Sequence, residues 1–418
     1  MERYSSYKDS GISWIGEIPE HWSLRRIKYI FSELKEKSEN GLELPLSLSK
    51  DGGIIPFNEK KNKTMESASY VGGKIVHKGK IVFNRFKARL FAVSGYDGIV
   101  SSDYAVYKCN RSASPEYLIK LFGIDMYRDA FNRKASGIGD GFSRLYTDDL
   151  FAMYSIFPPL AEQEKIVSYL EDKTSKIDTY VAEKEKEIEL LQELKQKTIA
   201  DAVTKGLNPD AKMKDSGISW IGGIPEHWEV KKIGSLFIER REKVSDKEYP
   251  ALSVSKQGIT PQLDTAVKTD NGDNRKKVRK NDFVVNSRSD RKGSCGVSPY
   301  TGSVSLINIV LSPRENIEVQ YFHHLFRSND YIEEYYRIGR GIVADLWTTR
   351  YSEMRNIFVP LPPINEQQSI VTYIEEKCQK IDKLASELQS EIDYLKEYKQ
   401  RLIADCVTGQ VNVQNEMI

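Results

Sequence analysis

The same fourteen-residue phrase occurs twice in this chain, and the repetition constrains the fold more than any other feature of the sequence. DSGISWIGEIPEHW occupies 9–22 and DSGISWIGGIPEHW occupies 215–228, so the copies differ only where Glu17 corresponds to Gly223. PPLAEQEKIVSYLEDKTSKID (158–178) returns as PPINEQQSIVTYIEEKCQKID (362–382), and IADAVT (199–204) returns as IADCVT (403–408). A period of about 205 residues is too long for a solenoid and predicts one two-part module used twice.

Each copy begins with a mixed segment and ends with a helical one. Short β-rich runs at 80–83, 92–108 and 282–286 are broken by Gly, Asp and Asn, and helical stretches follow at 115–133 and 319–337. We therefore predict an α+β fold with two duplicated domains and two long helices. The predicted boundaries are domain 1 over 1–157, helix 1 over 158–206, domain 2 over 207–361 and helix 2 over 362–418.

Residue types at the ends of the two helical segments support these boundaries. Proline pairs precede both helices, Glu162 and Glu366 lie in the first turns, and Gly206 and Gly409 follow the last turns. Apolar residues recur at spacings of three and four along both helices: Ile166, Leu170, Ile177, Val181, Ile188, Leu191 and Ala202, then Ile370, Ile374, Ile381, Leu388, Leu395 and Leu402. This seam favours an antiparallel coiled coil between the helices, and the alternative is that each helix packs on its own domain.

Composition excludes several classes of protein. The chain has 418 residues, of which 39% are hydrophobic and 29% charged, values typical of a globular chain with room for two or three domains. No apolar run approaches the eighteen residues of a membrane span, and the N-terminus lacks the apolar core of a signal peptide, so we expect a cytoplasmic protein. Its four cysteines are scattered, which favours reduced thiols.

The net charge of +2 conceals an alternation along the chain. Segments 1–160, 161–205, 206–363 and 364–418 carry net charges of +5, −3, +4 and −4. A basic block that recurs after an acidic one indicates two equivalent units that bind a polyanion.

The doubled phrases together resemble the specificity subunits of type I restriction-modification systems. The motifs that carry this resemblance are the Pro-Pro-x-x-Glu-Gln helix start, the Lys-Ile-Asp of each helix and the DSGISWIG-IPEHW start of each mixed domain, and it covers the whole chain. One departure is local: the family usually ends the helix in Val-Thr-Gly-Lys, whereas 203–206 is Val-Thr-Lys-Gly and 407–410 is Val-Thr-Gly-Gln.

The resemblance implies that each mixed domain recognises one half of a split DNA target and that the coiled coil sets the gap between the halves. It also implies that catalysis belongs to partners: two adenine-methylating subunits that use S-adenosylmethionine, and restriction subunits that use ATP and Mg²⁺. No cofactor is expected in this chain.

Motifs of an enzyme are missing from the sequence. There is no GxxxxGK[ST] loop, no Asn/Asp-Pro-Pro-Tyr/Phe motif, no HExxH, no GxSxG and no Cys/His set spaced for zinc. Pro209-Asp210 followed by Glu229-Val230-Lys231 fits the loose spacing of a metal-dependent nuclease. We therefore keep a stand-alone Mg²⁺-dependent nuclease and a protein-binding coiled-coil scaffold as alternatives.

Two places in each mixed domain have residue types that contact DNA, on or beside Gly-rich or post-strand loops. The residues at these two places differ between the copies, as expected for two domains that recognise different half-sites. The candidates are Asn84, Arg85, Lys87 and Arg89, with Ser143, Arg144 and Tyr146, in the first domain, and Asn286, Ser287, Arg288, Arg291 and Lys292, with Arg340, Thr348, Thr349 and Arg350, in the second. The basic stretch 271–280 is a further candidate for phosphate contact.

The doubled phrase itself is not expected to contact DNA bases, because two domains that recognise different sequences should not share an identical base-contacting surface. It either anchors the start of each domain near the coil or presents the same face to two identical partner subunits. The candidate partner-binding residues are Trp14, Trp22, Trp220, Trp228, Glu162, Gln163, Glu366 and Gln367. We interpret His21 and His227 as packed side chains and not as ligands. The pair His323-His324 has no counterpart in the first copy.

Overall fold

The computed structural model describes residues 2–49, 53–60, 69–86, 90–139, 142–262, 272–314, 316–341 and 347–415.

The chain forms two compact units, each of which contains a mixed domain and a segment of both long helices. Unit 1 comprises Met1–Lys184 and Ser390–Ile418, and unit 2 comprises Glu185–Gln389. The long helices are Leu160–Lys205 and Ile364–Val407, so each begins in one unit and ends in the other. The mixed sheet-and-helix class is confirmed, and the four predicted boundaries stay predictions.

A four-stranded antiparallel sheet forms the centre of unit 1. Its strands, in spatial order, are Phe31–Leu34, Tyr104–Cys109, Ile81–Asn84 and Phe91–Val93. Side chains alternate between the faces of a strand. Phe83 therefore packs into the large core beneath the helices Pro115–Gly123 and Asp125–Lys134, whereas Val82 packs into a smaller core on the opposite face.

The remaining elements of unit 1 surround this sheet. The helix Thr147–Ala152 lies just before the strand Tyr154–Phe157, which leads into the first long helix. Short helical turns occupy Ile27–Tyr29 and Phe57–Glu59. The other strands are Tyr7–Asp9, Glu17–Pro19, Ser23–Arg26, Leu46–Ser49, Gly53–Pro56, Lys74–Val76, Gly98–Val100, Ser136–Gly139 and Phe142–Arg144.

Unit 2 has a central sheet of the same strand order. Its strands are Phe237–Glu239, Asn308–Pro313, Phe283–Asn286 and Cys295–Val297, and the helices Val319–Leu325 and Asn329–Arg337 cover one face. The remaining helices and turns are Ile233–Leu236, Ser289–Arg291 and Tyr351–Met354. The remaining strands are Met213–Asp215, Gly223–Pro225, Glu229–Lys232, Lys243–Val244, Leu252–Ser255, Gly258–Pro261, Arg275–Val278, Gly302–Val304 and Phe358–Leu361.

The segments of the two long helices lie side by side within each unit. In unit 1, Lys399 Nζ contacts the carboxylate of Asp178 at 2.6 Å, and Tyr180 donates a hydrogen bond to Glu391 at 2.9 Å. Since the partner number falls as the residue number rises, the segments are antiparallel there. In unit 2, Lys195 contacts Asp382 at 2.7 Å, the equivalent of the Lys399 contact in the other copy.

Every residue of the predicted helix seam is buried or half-buried, and Ile392, which the spacing did not single out, is also fully buried. In the part of the chain that the structure describes, no helix is long and apolar enough to cross a membrane. The four cysteines are free thiols.

Candidate nucleic-acid interface

The repeated phrase folds into the same small anchor in both units. In unit 1, Tyr7–Asp9 pairs with Glu17–Pro19, and Gly11 and Gly16 have φ of +71° and +73° in the turn between them. Glycine adopts this left-handed conformation without a steric penalty, so the turn accounts for both glycines of the first phrase. The hairpin leads directly to His21 and Trp22.

Trp22 attaches the phrase to the start of the first long helix. Its ring is fully buried, and its Nε1 donates a hydrogen bond to Glu162 Oε2 at 2.6 Å. His21 Nε2 lies 2.6 Å from the other carboxylate oxygen of Glu162, and the Tyr4 hydroxyl also donates to this carboxylate. One glutamate in the first helical turn thus binds both residues at the end of the phrase.

The end of the second long helix completes this anchor. Gly409 has a φ of +76°, and a Cβ at this position would lie 2.6 Å from Pro19 Cδ and 2.9 Å from Trp22 Cη2. Glycine is therefore required at position 409 for two reasons: its left-handed conformation and the close approach of the phrase. The buried Tyr117 hydroxyl also donates to the carbonyl of Val407.

Unit 2 repeats the arrangement with its own phrase. Trp228 is fully buried and donates to Glu366 Oε2 at 3.0 Å, and His227 Nε2 contacts the same oxygen at 2.8 Å. Gly206, with a φ of +75°, leaves a gap of 3.1 Å between its ideal Cβ and Trp228 Cζ2. The two phrases therefore bind equivalent helix ends.

The glutamine after each glutamate is used inside the unit as well. Gln163 is fully buried, accepts a hydrogen bond from the backbone N–H of Ser114 at 2.8 Å and donates to the carbonyl of Pro158 at 2.8 Å. Gln367 does the same with Glu318 and Pro362. Ser114 and Glu318 cap the helices that cover the two central sheets, so the glutamines attach each long helix to its mixed domain.

These contacts favour the anchoring interpretation of the phrase over the partner-binding one. Trp22 and Trp228 have no exposed surface, so the proposal that they contact a partner needs correction, because their rings are occupied within the unit. Trp14 and Trp220 are half-buried and meet Tyr127 and Tyr331 edge to face, which leaves part of each ring exposed.

The two predicted DNA-contacting segments of unit 1 lie next to each other. The N–H of Leu145 donates to the carbonyl of Arg85 at 3.0 Å, which places the end of the strand Phe142–Arg144 beside the end of the strand Ile81–Asn84. Asn84 ends its strand in a turn, since its Oδ1 accepts from the N–H of Phe86 at 2.9 Å. Lys87 and Arg89 lie outside the described residues.

Both arginines at this site pair with carboxylates. Arg85 Nη2 contacts Glu33 Oε1 at 2.7 Å, and Lys74 reaches the same oxygen at 2.8 Å. Although burial opposes ionisation of Glu33, these two cations hold its pKa below the usual value. Arg85 is thus largely enclosed and has a structural role, which weakens it as a base-reading candidate.

Arg144 is more accessible than Arg85. Its Nη2 pairs with Asp103 Oδ1, and its guanidinium lies 4.6 Å from the centre of the Phe86 ring and 5.8 Å from that of Tyr146. Tyr146 is exposed, and Ser143 is half-buried beside it. An exposed ion pair contributes little to stability, so a phosphate or base edge can replace Asp103 as the partner of Arg144 at small cost.

Unit 2 joins its two predicted segments through backbone hydrogen bonds. Thr349 N–H donates to the carbonyl of Ser287 at 3.0 Å, and Ser289 N–H donates to that of Trp347 at 2.9 Å. Arg340 and Thr348 exchange two further bonds. These contacts form a small ribbon, on which Asn286 makes the same turn as Asn84 by accepting from the N–H of Arg288.

Burial divides the candidates of this ribbon into two groups. Ser287 and Thr349 are buried and donate their hydroxyls to the carbonyls of Ile307 and Tyr335, so their assignment as DNA-contacting residues is corrected to a structural role. The half-exposed or exposed group contains Arg288, Arg291, Lys292, Arg340, Thr348 and Arg350. Within it, Arg288 pairs with Asp290 and Lys292 with Glu333, again at the surface.

Trp347 was missed by the sequence argument. It is 37% exposed and lies at the edge of the ribbon, where an aromatic ring can stack on a base or sugar. Its position directly before Thr348 in a basic segment was the signal that could have found it.

The basic stretch of unit 2 has internal partners. Arg275 is buried against Ser303, Lys276 pairs with Glu239, and Lys277 pairs with Glu242. Residue 271 lies outside the described residues. Phosphate contact by this stretch stays a prediction for Lys280 and its exposed neighbours.

The residues of the nuclease alternative do not form a charged cluster in the described part of the chain. Glu229 pairs with Lys231 at 2.8 Å on the strand Glu229–Lys232, and Asp210 lies exposed in the turn before the strand Met213–Asp215. Among the described residues, no group of three or more His, Cys, Asp or Glu side chains is placed to hold a metal.

The comparisons with known proteins agree with this arrangement. Residues 225–394 match the family described as "Type I restriction modification DNA specificity domain". The chain is 24% identical over 96% of its length to a putative type I restriction enzyme MjaX specificity subunit of Methanocaldococcus jannaschii, of which it covers 96%. It is 25% identical over 65% of its length to the type I restriction enzyme EcoBI specificity subunit of Escherichia coli, of which it covers 60%.

Two solved structures share the fold. One, described under the structural basis of complex assembly and conformational transition of the type I R-M system, has a TM-score of 0.69 and 18% identity, with 94% of this chain and 99% of the other covered. The HsdS subunit from Thermoanaerobacter tengcongensis has a TM-score of 0.54 and 17% identity, with coverages of 94% and 98%.

Proposed function

The chain belongs to the type I restriction-modification specificity subunits, and from this premise we propose that each unit recognises one half of a bipartite DNA target. The observation that carries the proposal is the contrast between the two units. The anchors around Trp22 and Trp228 are equivalent, whereas the residues that follow Asn84 and Asn286 in the sequence differ. Two domains that are anchored in the same way but differ in their DNA-contacting residues are expected for a target with two different halves.

We assign base and phosphate contact in unit 1 to the surface around Arg144 and Tyr146. In unit 2 we assign it to the ribbon that carries Arg288, Trp347 and Arg350. Arginine can bind guanine edges or phosphates through two hydrogen bonds. The surface of unit 1 presents the half-buried Arg144 beside Tyr146, and that of unit 2 presents the exposed Arg288 near Trp347. Selection of bound duplexes from a randomised pool by the full chain with its methylating partner tests this assignment. Enrichment of a two-part sequence is expected, and enrichment of a single continuous site or of no sequence would contradict it.

The two long helices are proposed to form an antiparallel coiled-coil spacer. The matched contacts Lys399–Asp178 and Lys195–Asp382 support this, because they are equivalent in the internal repeat. Inserting seven residues after Lys184 and after Gln389 keeps the seam in register and lengthens each helix by about 10 Å. The selected gap should then grow by about three base pairs with unchanged halves, and an unchanged gap would contradict the spacer.

Two identical partner subunits are proposed to bind the helices. Tyr180, Tyr394 and Tyr398 are exposed large side chains on the helix segments of unit 1, and their counterparts in unit 2 are the exposed Leu384, Leu190 and Leu194. Exposed apolar side chains at equivalent positions on two otherwise charged surfaces indicate one kind of contact made twice. Tyr394→Glu and Leu190→Glu should each reduce co-purification of the methylating subunit, whereas the control Gln400→Glu should not.

Chemistry is assigned to these partners. S-adenosylmethionine would bind in the methylating subunits, and ATP and Mg²⁺ in a restriction subunit, within a cytoplasmic complex. The full chain with Mg²⁺ and DNA alone should leave the duplex intact; cleavage by the purified chain would favour the nuclease alternative.

A further inference from the structure

Unit 1 has a basic groove beside its reading surface that the function described so far does not use. The groove has a volume of about 440 Å³ and is lined by Ile12, Trp14, Ala130, Arg133, Lys134, Ala152, Met153 and Tyr154. No carboxylate lines it. The helix Asp125–Lys134 ends at the groove, and the strand Ser136–Gly139 of the reading surface begins two residues later.

A third cation, besides Arg133 and Lys134, reaches the groove through Tyr154. Arg26 and Tyr154 face each other on the antiparallel strands Ser23–Arg26 and Tyr154–Phe157, and Arg26 Nε donates to the Tyr154 hydroxyl at 3.1 Å. The phenolic oxygen accepts this bond, so its own hydrogen remains able to donate to an anion. Tyr154 is 40% exposed, and the Arg26 guanidinium is exposed as well.

The cations of this groove are not neutralised from within the protein. Across the residues that the structure describes, neither Arg26 nor Arg133 nor Lys134 forms an ion pair with a carboxylate. By contrast, Arg85 and Arg144 on the adjacent reading surface both pair with acidic side chains. Three unpaired cations and one hydroxyl around a single concave surface leave a strong local excess of positive charge.

Unit 2 provides an internal comparison, because its equivalent groove has lost three of these features and keeps only the cation at the place of Arg26, where Lys232 lies over the Phe358 ring. Phe358, which lacks a hydroxyl, corresponds to Tyr154, and Ile338 corresponds to Lys134. Arg337 corresponds to Arg133, but its Nε and Nη2 donate to the two carboxylate oxygens of Glu334, at 2.6 and 2.8 Å. Ala130 occupies the place of Glu334 in unit 1, so the acid that neutralises the arginine is missing there.

We propose that the groove of Arg26, Arg133, Lys134 and Tyr154 grips the DNA backbone next to the half-site read by unit 1, and that unit 2 has no such grip. This inference rests on the proposed function. Duplex DNA is the polyanion that the adjoining reading surface would bring past these side chains, and arginine, lysine and tyrosine are common phosphate contacts. Backbone contacts carry no sequence information, so the groove would add affinity and leave the recognised sequence unchanged.

The test is the salt dependence of DNA binding by the full chain in complex with its methylating partner. Two duplexes serve as probes: one with the sequence selected by the wild-type complex and one unrelated. Each phosphate contact contributes about 0.9 to the slope of log affinity against log salt concentration. Arg133→Gln with Lys134→Gln should therefore lower the slope by about two on the selected duplex, with the selected sequence unchanged.

Matched variants separate this grip from a general loss of structure. Arg337→Gln in unit 2 removes an arginine that is already neutralised and should leave the slope unchanged. Tyr154→Phe keeps the ring and removes only the hydroxyl, so it should weaken binding without altering the thermal melting curve. An unchanged slope in the Arg133/Lys134 variant, or an equal change in Arg337→Gln, would overturn the proposal.

Other outcomes are equally decisive. A changed sequence preference in the Arg133/Lys134 variant would make the groove a base reader and overturn the backbone assignment. Loss of the methylating subunit from the variant complex would assign the groove to an acidic protein surface instead. If the wild-type complex showed no preference between the two duplexes, the proposed function itself would fail, which is distinct from a groove variant without effect.

Discussion

Trp22 Nε1 donates a hydrogen bond to Glu162 Oε2 at 2.6 Å, which joins the end of the repeated phrase to the first turn of a long helix 140 residues later. The same bond joins Trp228 to Glu366 at 3.0 Å. In each unit the phrase also packs against the glycine that ends the other long helix. The phrase is repeated nearly letter for letter because it holds the same three-part contact in both units.

Removal of the glutamate from this contact should destabilise one unit at a time. Glu162→Ala leaves the buried indole N–H of Trp22 without an acceptor, which costs about 1–3 kcal/mol. Urea unfolding followed by tryptophan fluorescence should show an earlier transition for unit 1 in this variant, and for unit 2 in Glu366→Ala. The exposed Glu164→Ala is the control, and an equally large shift in the control would refute the anchoring role.

The helix-terminal glycines should differ in their tolerance of a methyl group. In Gly409→Ala the new Cβ meets ring carbons of Pro19 at 2.6 Å, closer than real Cβ contacts, whereas in Gly206→Ala the nearest atoms lie at 3.1 Å. Both positions have positive φ, which adds a similar backbone cost of about 1 kcal/mol to each. The melting temperature should therefore fall further for Gly409→Ala. Equal losses would show that the packing around Pro19 does not set the cost.

Each reading surface should control only its own half of the target. Arg144→Ala should relax or weaken recognition of one half-site, and Arg288→Ala that of the other, by about 1–3 kcal/mol if the arginine binds a base edge. Duplexes substituted in one half at a time measure this separately for each variant. Arg111→Ala, at an exposed site in the turn after a strand of unit 1, is the control. An effect of either variant on both halves alike would contradict the assignment of one half-site to each unit.

Acid should destabilise unit 2 through two adjacent histidines. Burial lowers the pKa of His323 to about 3 and that of His324 to about 4, from an ordinary value of 6.5. Below pH 6.5 the unfolded chain binds protons that the folded unit does not, so stability is complete above this value and declines as the pH falls toward the folded pKa values. Within that window each histidine contributes a slope of up to about 1.4 kcal/mol per pH unit.

His323→Asn tests this slope, since Asn offers an acceptor where Nδ1 of His323 accepts from the N–H of Val297. Urea midpoints between pH 7 and 5.5 should depend less on pH in this variant. The exposed His77→Asn in unit 1 should not flatten the dependence of unit 2. If both variants behaved like the wild type, the buried histidines would not be the source of acid sensitivity.

Local patterns predicted the long helices but not the partners of single side chains. The proline pairs precede the helices Leu160–Lys205 and Ile364–Val407, the glutamates lie in their first turns, and the glycines follow their last turns. These features act within a few residues of each other and are visible in a sequence. The pairing of Arg85 with Glu33 joins residues 52 positions apart, so only the folded sheet reveals that this arginine is enclosed.

Burial, which is also known only from the fold, distinguishes the candidate DNA-contacting residues on the surface from those with a structural role. Ser287 and Thr349 have residue types that contact bases, yet both hydroxyls bond backbone carbonyls in the core of the ribbon. The basic groove was missed because its members, Arg26, Arg133 and Tyr154, come from three separate parts of the chain. Alignment of the two copies was the signal that identified it, since unit 2 replaces Tyr154 by Phe358 and Ala130 by Glu334.

The central claim is that two domains with equivalent anchors and different DNA-contacting residues together specify one bipartite target. The most direct test maps methylated adenines in DNA from a host that carries this gene and its methylating partner, for the wild type and for Arg288→Ala. The account predicts a two-part motif with a fixed gap in the wild type, and a change confined to one half in the variant. A single continuous motif, or a variant that alters both halves equally, would contradict it.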